Sequence, residues 1–151
     1  MIIRAATRAD QPALVAMAGE FLAATRYGTL LTADAASVGH ALALIEALGG
    51  LALVAEDAGA LVGMLALVVG PHPLTGEPTA EELVWWAAPT ARYAQVGLRL
   101  LKAAEAWAVA QGIVWLVLVE PLPRETVSRY GRLGYTAIET RSVKRLPPGG
   151  A

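Results

Sequence analysis

Cysteine is absent from the chain, and histidine occurs only as His40 and His72. The first absence excludes a disulfide framework, a thiolate zinc site and a cysteine nucleophile together. The two histidines lie far apart and neither sits at a metal-ligand spacing, so no catalytic metal is expected. A Gly-x-Ser-x-Gly elbow is missing, and Ser37, Ser128 and Ser142 have no histidine near them in sequence, which leaves a serine hydrolase without support. Charge is scarce as well: 17% of residues are charged, the formal net charge is −1, and no basic run exceeds Lys144 and Arg145. The electrostatic footprint of a nucleic-acid binder is therefore lacking, and a small ligand or a protein partner fits better. The most apolar run, residues 58–70, falls short of the roughly 20 residues a membrane span needs and follows Glu56 and Asp57. The opening MIIRAATRAD holds one apolar pair and Arg4, unlike a secretory signal. A cytoplasmic protein with no membrane partner is expected.

What the chain has in quantity is apolar surface. Hydrophobic residues make up 56% of 151 positions, enough for one compact domain over residues 1–146, with a loose tail at 147–151. Residues 2–6 read as a first strand, and Thr7 to Asp10 as a capping-box variant opening a helix. Leu14, Met17, Ala18, Phe21 and Leu22 recur at helical spacing. Residues 25–31 show no period and read as a connection. A second helix spans about 33–48, with Val38, Leu42 and Ile45 inward and Gly49-Gly50 as its stop. Residues 51–56 and 60–69 are β-compatible runs around Asp57-Ala58-Gly59, the spacing of a hairpin. A loop is expected at 70–78, a strand at 81–88, a helix to about Gln111 closed by Gly112, a strand at 113–119, a short helix at 124–133 and a last strand at 135–146. The order is β-α-α-β-β-β-α-β-α-β. A right-handed crossover makes strands 81–88 and 113–119 parallel.

Ligands of open parallel sheets bind outside the carboxyl ends of such strands, where helix N-termini point. The elbow between VWWAAPT and the following helix lies there. The first N–H groups of that helix lack internal partners and can donate to a phosphate, Ala94 and Gly97 keep bulk away, and Arg92 can add a charged contact. The same features also describe a plain strand-to-helix turn. Trp107 and Trp115 read as core residues, Trp85 and Trp86 as core and pocket wall. Arg129, Arg132, Arg141, Lys144 and Arg145 read as solvated surface, with contact to a ligand phosphate as the alternative for some of them.

Arg92-x-x-Gln95-x-Gly97, followed by Leu100-Leu101, resembles the acyl-CoA loop of the Gcn5-related N-acetyltransferases (GNAT). A second family signature is a tyrosine four residues before a Gly-aromatic pair, here Tyr130 before Gly134-Tyr135. The element order matches over nearly the whole chain, with Gln95 in place of a motif glycine and Pro123 where many members have asparagine. The resemblance implies an α/β (α+β) fold: a mixed, mostly antiparallel sheet of six to seven strands flanked by about four helices. It also implies acetyl-CoA as co-substrate, held by Ala87, Ala88, Arg92, Gln95, Val96, Gly97, Leu98 and Arg99. Its chemistry is direct transfer of the acetyl group to a primary amine of a small molecule or peptide, through a tetrahedral intermediate and without a covalent enzyme adduct.

An amine attacks only when neutral, so a carboxylate or an ordered water must take its proton. Glu82 stands where the family often carries its glutamate base; its other reading is a solvated strand-end carboxylate. Glu81 points to the opposite face by strand alternation. Ala87 or Ala88 would supply the oxyanion N–H, and Tyr130 the proton for the departing thiolate. Glu77, Glu81 and Glu82 hint at a cationic acceptor, and the apolar composition is compatible with a homodimer. Two other readings remain at this stage: a non-catalytic acyl-CoA sensor of the same fold, and a nucleotide-binding protein, for which the Walker lysine is missing.

Overall fold

The computed structural model describes residues 1–89, 95–122 and 139–147, without the side chains of Pro121 and Val143. Within these residues the chain runs β1 (Ile2–Ala5), α1 (Gln11–Ala24), α2 (Ala35–Ala47), β2 (Leu51–Asp57), β3 (Ala60–Pro71), β4 (Pro78–Ala87), α3 (Val96–Ala110), β5 (Trp115–Pro121) and β6 (Glu139–Arg145). The strands form one six-stranded sheet in sequence order, antiparallel throughout except for the parallel pair β4–β5. This is the mixed, mostly antiparallel sheet the resemblance implies, with three α-helices among the described residues. The expected helix at 124–133 lies outside them.

Helix α1 starts later than the cap at Thr7 suggests, because residues Arg8–Asp10 first make a 3-10 turn. The Asp10 carboxylate accepts from the Thr7 N–H at 2.7 Å and the Thr7 hydroxyl at 2.9 Å. Pro12 in the first turn of α1 then costs no helical hydrogen bond. The β2–β3 hairpin turns through Ala58 and Gly59, both with positive φ, as two-residue hairpins prefer. The expected loop shrinks to residues 72–77, since Gly70 pairs with Thr79 and Pro71 with Pro78. Strand β5 begins at Trp115 because Ile113 is spent on the helix stop. Its N–H bonds the Ala108 carbonyl beyond Gly112, which has φ 70°.

The larger core lies between the sheet and α3, where Leu53, Leu65, Leu67, Leu100, Ala104 and Leu116 are buried. A smaller one, built on Leu14, Met17, Val54 and Met64, lies under α1 and α2 on the opposite face. Gly63 on β3 sets how closely α3 approaches. A Cβ there would fall 2.7 Å from Val96 Cγ1 and 3.1 Å from both Leu100 Cδ1 and the Trp86 carbonyl oxygen. Only glycine lets the first turns of α3 sit this deep. None of the described helices is long and apolar enough to cross a membrane.

Candidate active site

Strands β4 and β5 share only three rungs, Thr79↔Trp115, Ala80↔Leu116 and Glu81↔Val117. Beyond them β4 continues to Ala87 and β5 to Pro121 without pairing with each other, so the carboxyl ends of two parallel neighbours open into a cleft. Helix α3 begins beside it. The cleft exists partly because β4 is bulged: Ala66 pairs with Val84 but Leu67 with Glu82, which leaves Leu83 without a partner on β3.

The bulge also resets which side chains share a face. Simple alternation would group Glu82 with Val84 and Trp86. Instead Glu82 lies opposite Leu67 and Trp85 opposite Leu65, both on the α3 side, while Val84 and Trp86 pack toward α1 and α2. Trp86 meets Phe21 edge to face and donates its indole N–H to Glu20 at 3.1 Å.

Glu82 sits at the root of the cleft. It is 7% exposed, which removes the solvated strand-end reading. Its Oε2 accepts the Val119 N–H at 3.1 Å, so the carboxylate bridges β4 to β5 just past the last backbone rung. Burial pushes its carboxyl above the ordinary glutamate range, and the Val119 N–H opposes part of that rise. A carboxylate moved in this direction is better matched to accepting a proton near neutral pH.

Two mouths meet at Glu82 and Val119. One is bordered by Trp85, Leu118, Glu120 and Ser142, the other by Phe21, Tyr27, Glu81, Leu83, Glu139 and Arg141. In the second, Arg141 pairs with Glu81 and the Tyr27 hydroxyl donates to Glu139. Sequence reasoning missed Tyr27, Leu83 and Glu139; Arg141 is exposed, as expected, and also borders this mouth. For Glu139 and Arg141 the available signal was alternation on a strand neighbouring β5; for Tyr27 and Leu83, a turn without period and a bulge, no signal existed.

Helix α3 opens with Gln95 as N-cap, whose own side chain makes no capping hydrogen bond. The Arg99 N–H bonds the Gln95 carbonyl at 3.1 Å, so among the α3 candidates only the N–H groups of Gln95, Val96, Gly97 and Leu98 precede the helical ladder. The Arg99 guanidinium turns to the Met1 carbonyl at 3.3 Å. Gly97 lies against the Trp85 indole, where a Cβ would meet Nε1 at 3.4 Å. At the end of β4 the Ala88 N–H is held by the Val62 carbonyl at 3.0 Å. Antiparallel hydrogen bonding alternates in direction, so the Ala87 N–H faces away from β3, toward the cleft. Of the two alanines, Ala87 has the available donor.

Glu77 does not belong to this site. It lies at the start of β4 and accepts the Trp115 indole N–H at 2.6 Å, so the Trp115 ring is half-buried at that end rather than in the core. Arg92, Pro123, Tyr130, Gly134 and Tyr135 lie outside the described residues. Among the described residues no group of three or more His, Asp or Glu could hold a metal ion.

A model of the acetyltransferase (GNAT) family matches residues 21–135. No curated protein matches the sequence. Among solved structures the chain is similar to yncA, a putative acetyltransferase from Salmonella typhimurium determined with its cofactor acetyl-CoA. That likeness has 19% identity and a TM-score of 0.72 over 100% of this chain and 96% of that one. It is also similar to a ribosomal-protein-alanine N-acetyltransferase from Brucella melitensis, with 28% identity and a TM-score of 0.67 over 80% and 75% of the two chains. A phosphinothricin acetyltransferase from Sinorhizobium meliloti in complex with acetyl-CoA aligns at 20% identity and a TM-score of 0.63, over 78% and 64%.

Proposed function

The chain belongs to the GNAT acetyltransferase family, and we propose that it transfers an acetyl group from acetyl-CoA to a primary amine of a small molecule or peptide by direct attack. The observation that carries this reading is the buried Glu82 carboxylate at the root of the cleft between β4 and β5, beside the start of α3. The residues described fit acetyl-CoA: the N–H groups of Gln95 to Leu98, which precede the helical ladder, suit a pyrophosphate, and Gly97 lets that turn lie against the Trp85 indole. Bound there, acetyl-CoA supplies a thioester carbon for the amine to attack.

The roles we assign rest on the positions of Glu82 and Ala87 and, for Tyr130, on the family resemblance. Glu82 takes a proton from the acceptor's ammonium or the attacking amine, and its raised affinity for protons serves that task. The Ala87 N–H meets the negative charge that develops on the carbonyl oxygen. The carbon–nitrogen bond forms, the carbon–sulfur bond breaks, and the phenol of Tyr130, the residue the family resemblance assigns, gives the thiolate its proton. The test is Tyr130→Phe, which removes one hydroxyl and keeps the ring. Turnover should fall roughly 10²-fold or more with acetyl-CoA affinity nearly unchanged. Equal turnover by the variant and the parent would remove Tyr130 from the mechanism.

A further inference from the structure

The cavity under α1 and α2 is more than a packing flaw. It has a volume of about 270 Å³, is partly open to solvent and is walled by side chains such as Leu14, Phe21, Val38, Leu42, Met64 and Val84. Only two hydroxyls reach it among the described residues, those of Ser37 and Tyr27, and both are committed. Ser37 donates to the Asp34 carbonyl within the α2 cap, and Tyr27 donates to Glu139. Water would find few partners there, and a void of this size left empty deprives every lining side chain of contacts. An engineered apolar cavity of about 150 Å³ already admits benzene.

The cavity adjoins the catalytic cleft. Phe21, Tyr27 and Leu83 line both the cavity and the mouth that holds Glu82. Leu83 occupies this position because the bulge in β4 turns it out of phase with its neighbours. Around the mouth, Glu81, Glu82 and Glu139 outnumber Arg141, which favours a cationic ligand. Arg141 is paired with Glu81 and Tyr27 with Glu139, while among the described residues only the Val119 N–H is bonded to Glu82.

We propose that the acceptor is a primary amine bearing an aromatic or branched aliphatic group, which fills this cavity while the amine lies at Glu82. This rests on the acetyltransferase reading and names its substrate class. Leu83, the residue next to Glu82, lines both the cavity and the mouth, so the two spaces are continuous at this point of β4.

The experiment compares ethylamine, isoamylamine, 2-phenylethylamine and spermidine as acceptors, read by release of free CoA thiol, and repeats the series with Ala18→Leu and Ala41→Leu, which fill the cavity. The parent should show kcat/KM at least about tenfold higher for isoamylamine or 2-phenylethylamine than for ethylamine, as burial of several methylenes requires. The two variants should lose most of that ratio. A flat series, a preference for spermidine, or an unchanged ratio in folded variants overturns the proposal while leaving acetyl transfer intact.

A second readout does not depend on turnover: the methyl resonance of Met64 is followed by NMR as 2-phenylethylamine is added to the parent protein. A saturable shift supports the cavity as the binding site, and no shift overturns it. A saturable shift without acetylation of any amine would keep the cavity assignment and sink the acetyltransferase reading instead.

Discussion

Glu82 shows what a single residue's surroundings add to its identity. Its folded carboxyl is raised by burial, so its contribution to stability is greatest below the ordinary glutamate pKa and is lost as pH rises through the raised folded value. Glu82→Gln removes the charge and keeps an oxygen for the Val119 N–H. We expect thermal melts at pH 7 to show the variant as stable as the parent or more so, while kcat/KM falls roughly 10²-fold or more. In the parent, the acid limb of the kcat/KM profile should lie above the ordinary glutamate range. An unchanged turnover, or an acid limb at the ordinary value, would count against the base. The sequence placed Glu82 on the right strand next to the elbow, because a carboxylate there is visible in one dimension. Its burial was not visible, since the bulge at Leu83 breaks the alternation from which facing is read.

At the scale of elements, the site depends on how α3 is seated. Gly63 lies under its first turns, against Val96 and Leu100. Gly63→Val would force that end of the helix outward, at a cost of about 1–3 kcal/mol in stability. The N–H groups of its first turn would move with it. We therefore expect calorimetry to show a loss of acetyl-CoA affinity in the folded variant, whereas Gly70→Ala, on the same strand with open space around it, should bind as the parent does. Undiminished affinity in Gly63→Val would mean that the start of α3 is not the phosphate site. The hairpin, the crossover and the three helices were legible because each carries its own signal: the capping box and helical spacing for α1, Gly49-Gly50 after α2, Asp57-Ala58-Gly59 in the hairpin and Gly112 after α3. Their ends were less so. Pairing of Gly70 with Thr79 extended two strands into an expected loop, and the stop of α3 consumed the first residues of an expected strand.

Across the whole molecule, one charge cluster fastens the chain's beginning to the sheet. Arg4 on β1 grips Asp10 through two hydrogen bonds of 2.8 Å and Glu56 on β2 through a third. Arg4 and the Thr7 donors hold the Asp10 carboxyl well below the usual carboxylate range. A depressed folded pKa gives stability that is present above the unfolded value, about 3.9, and lost as pH falls toward the folded one. Asp10→Asn should therefore lower Tm at pH 7 by several degrees and flatten the decline of Tm between about pH 4 and pH 2. Equal acid sensitivity of variant and parent would show that the cluster contributes little.

The central claim is that a cleft opened by two diverging parallel strands, with a buried carboxylate at its root, performs acetyl transfer to an amine. Mass spectrometry of the amine after incubation with acetyl-CoA and the parent protein, beside Glu82→Gln, tests it most directly. We expect an acetylated amine formed in step with free CoA by the parent and strongly reduced formation by the variant. Tight binding of acetyl-CoA with no acetylated product from any amine would contradict it and favour a sensor of acyl-CoA.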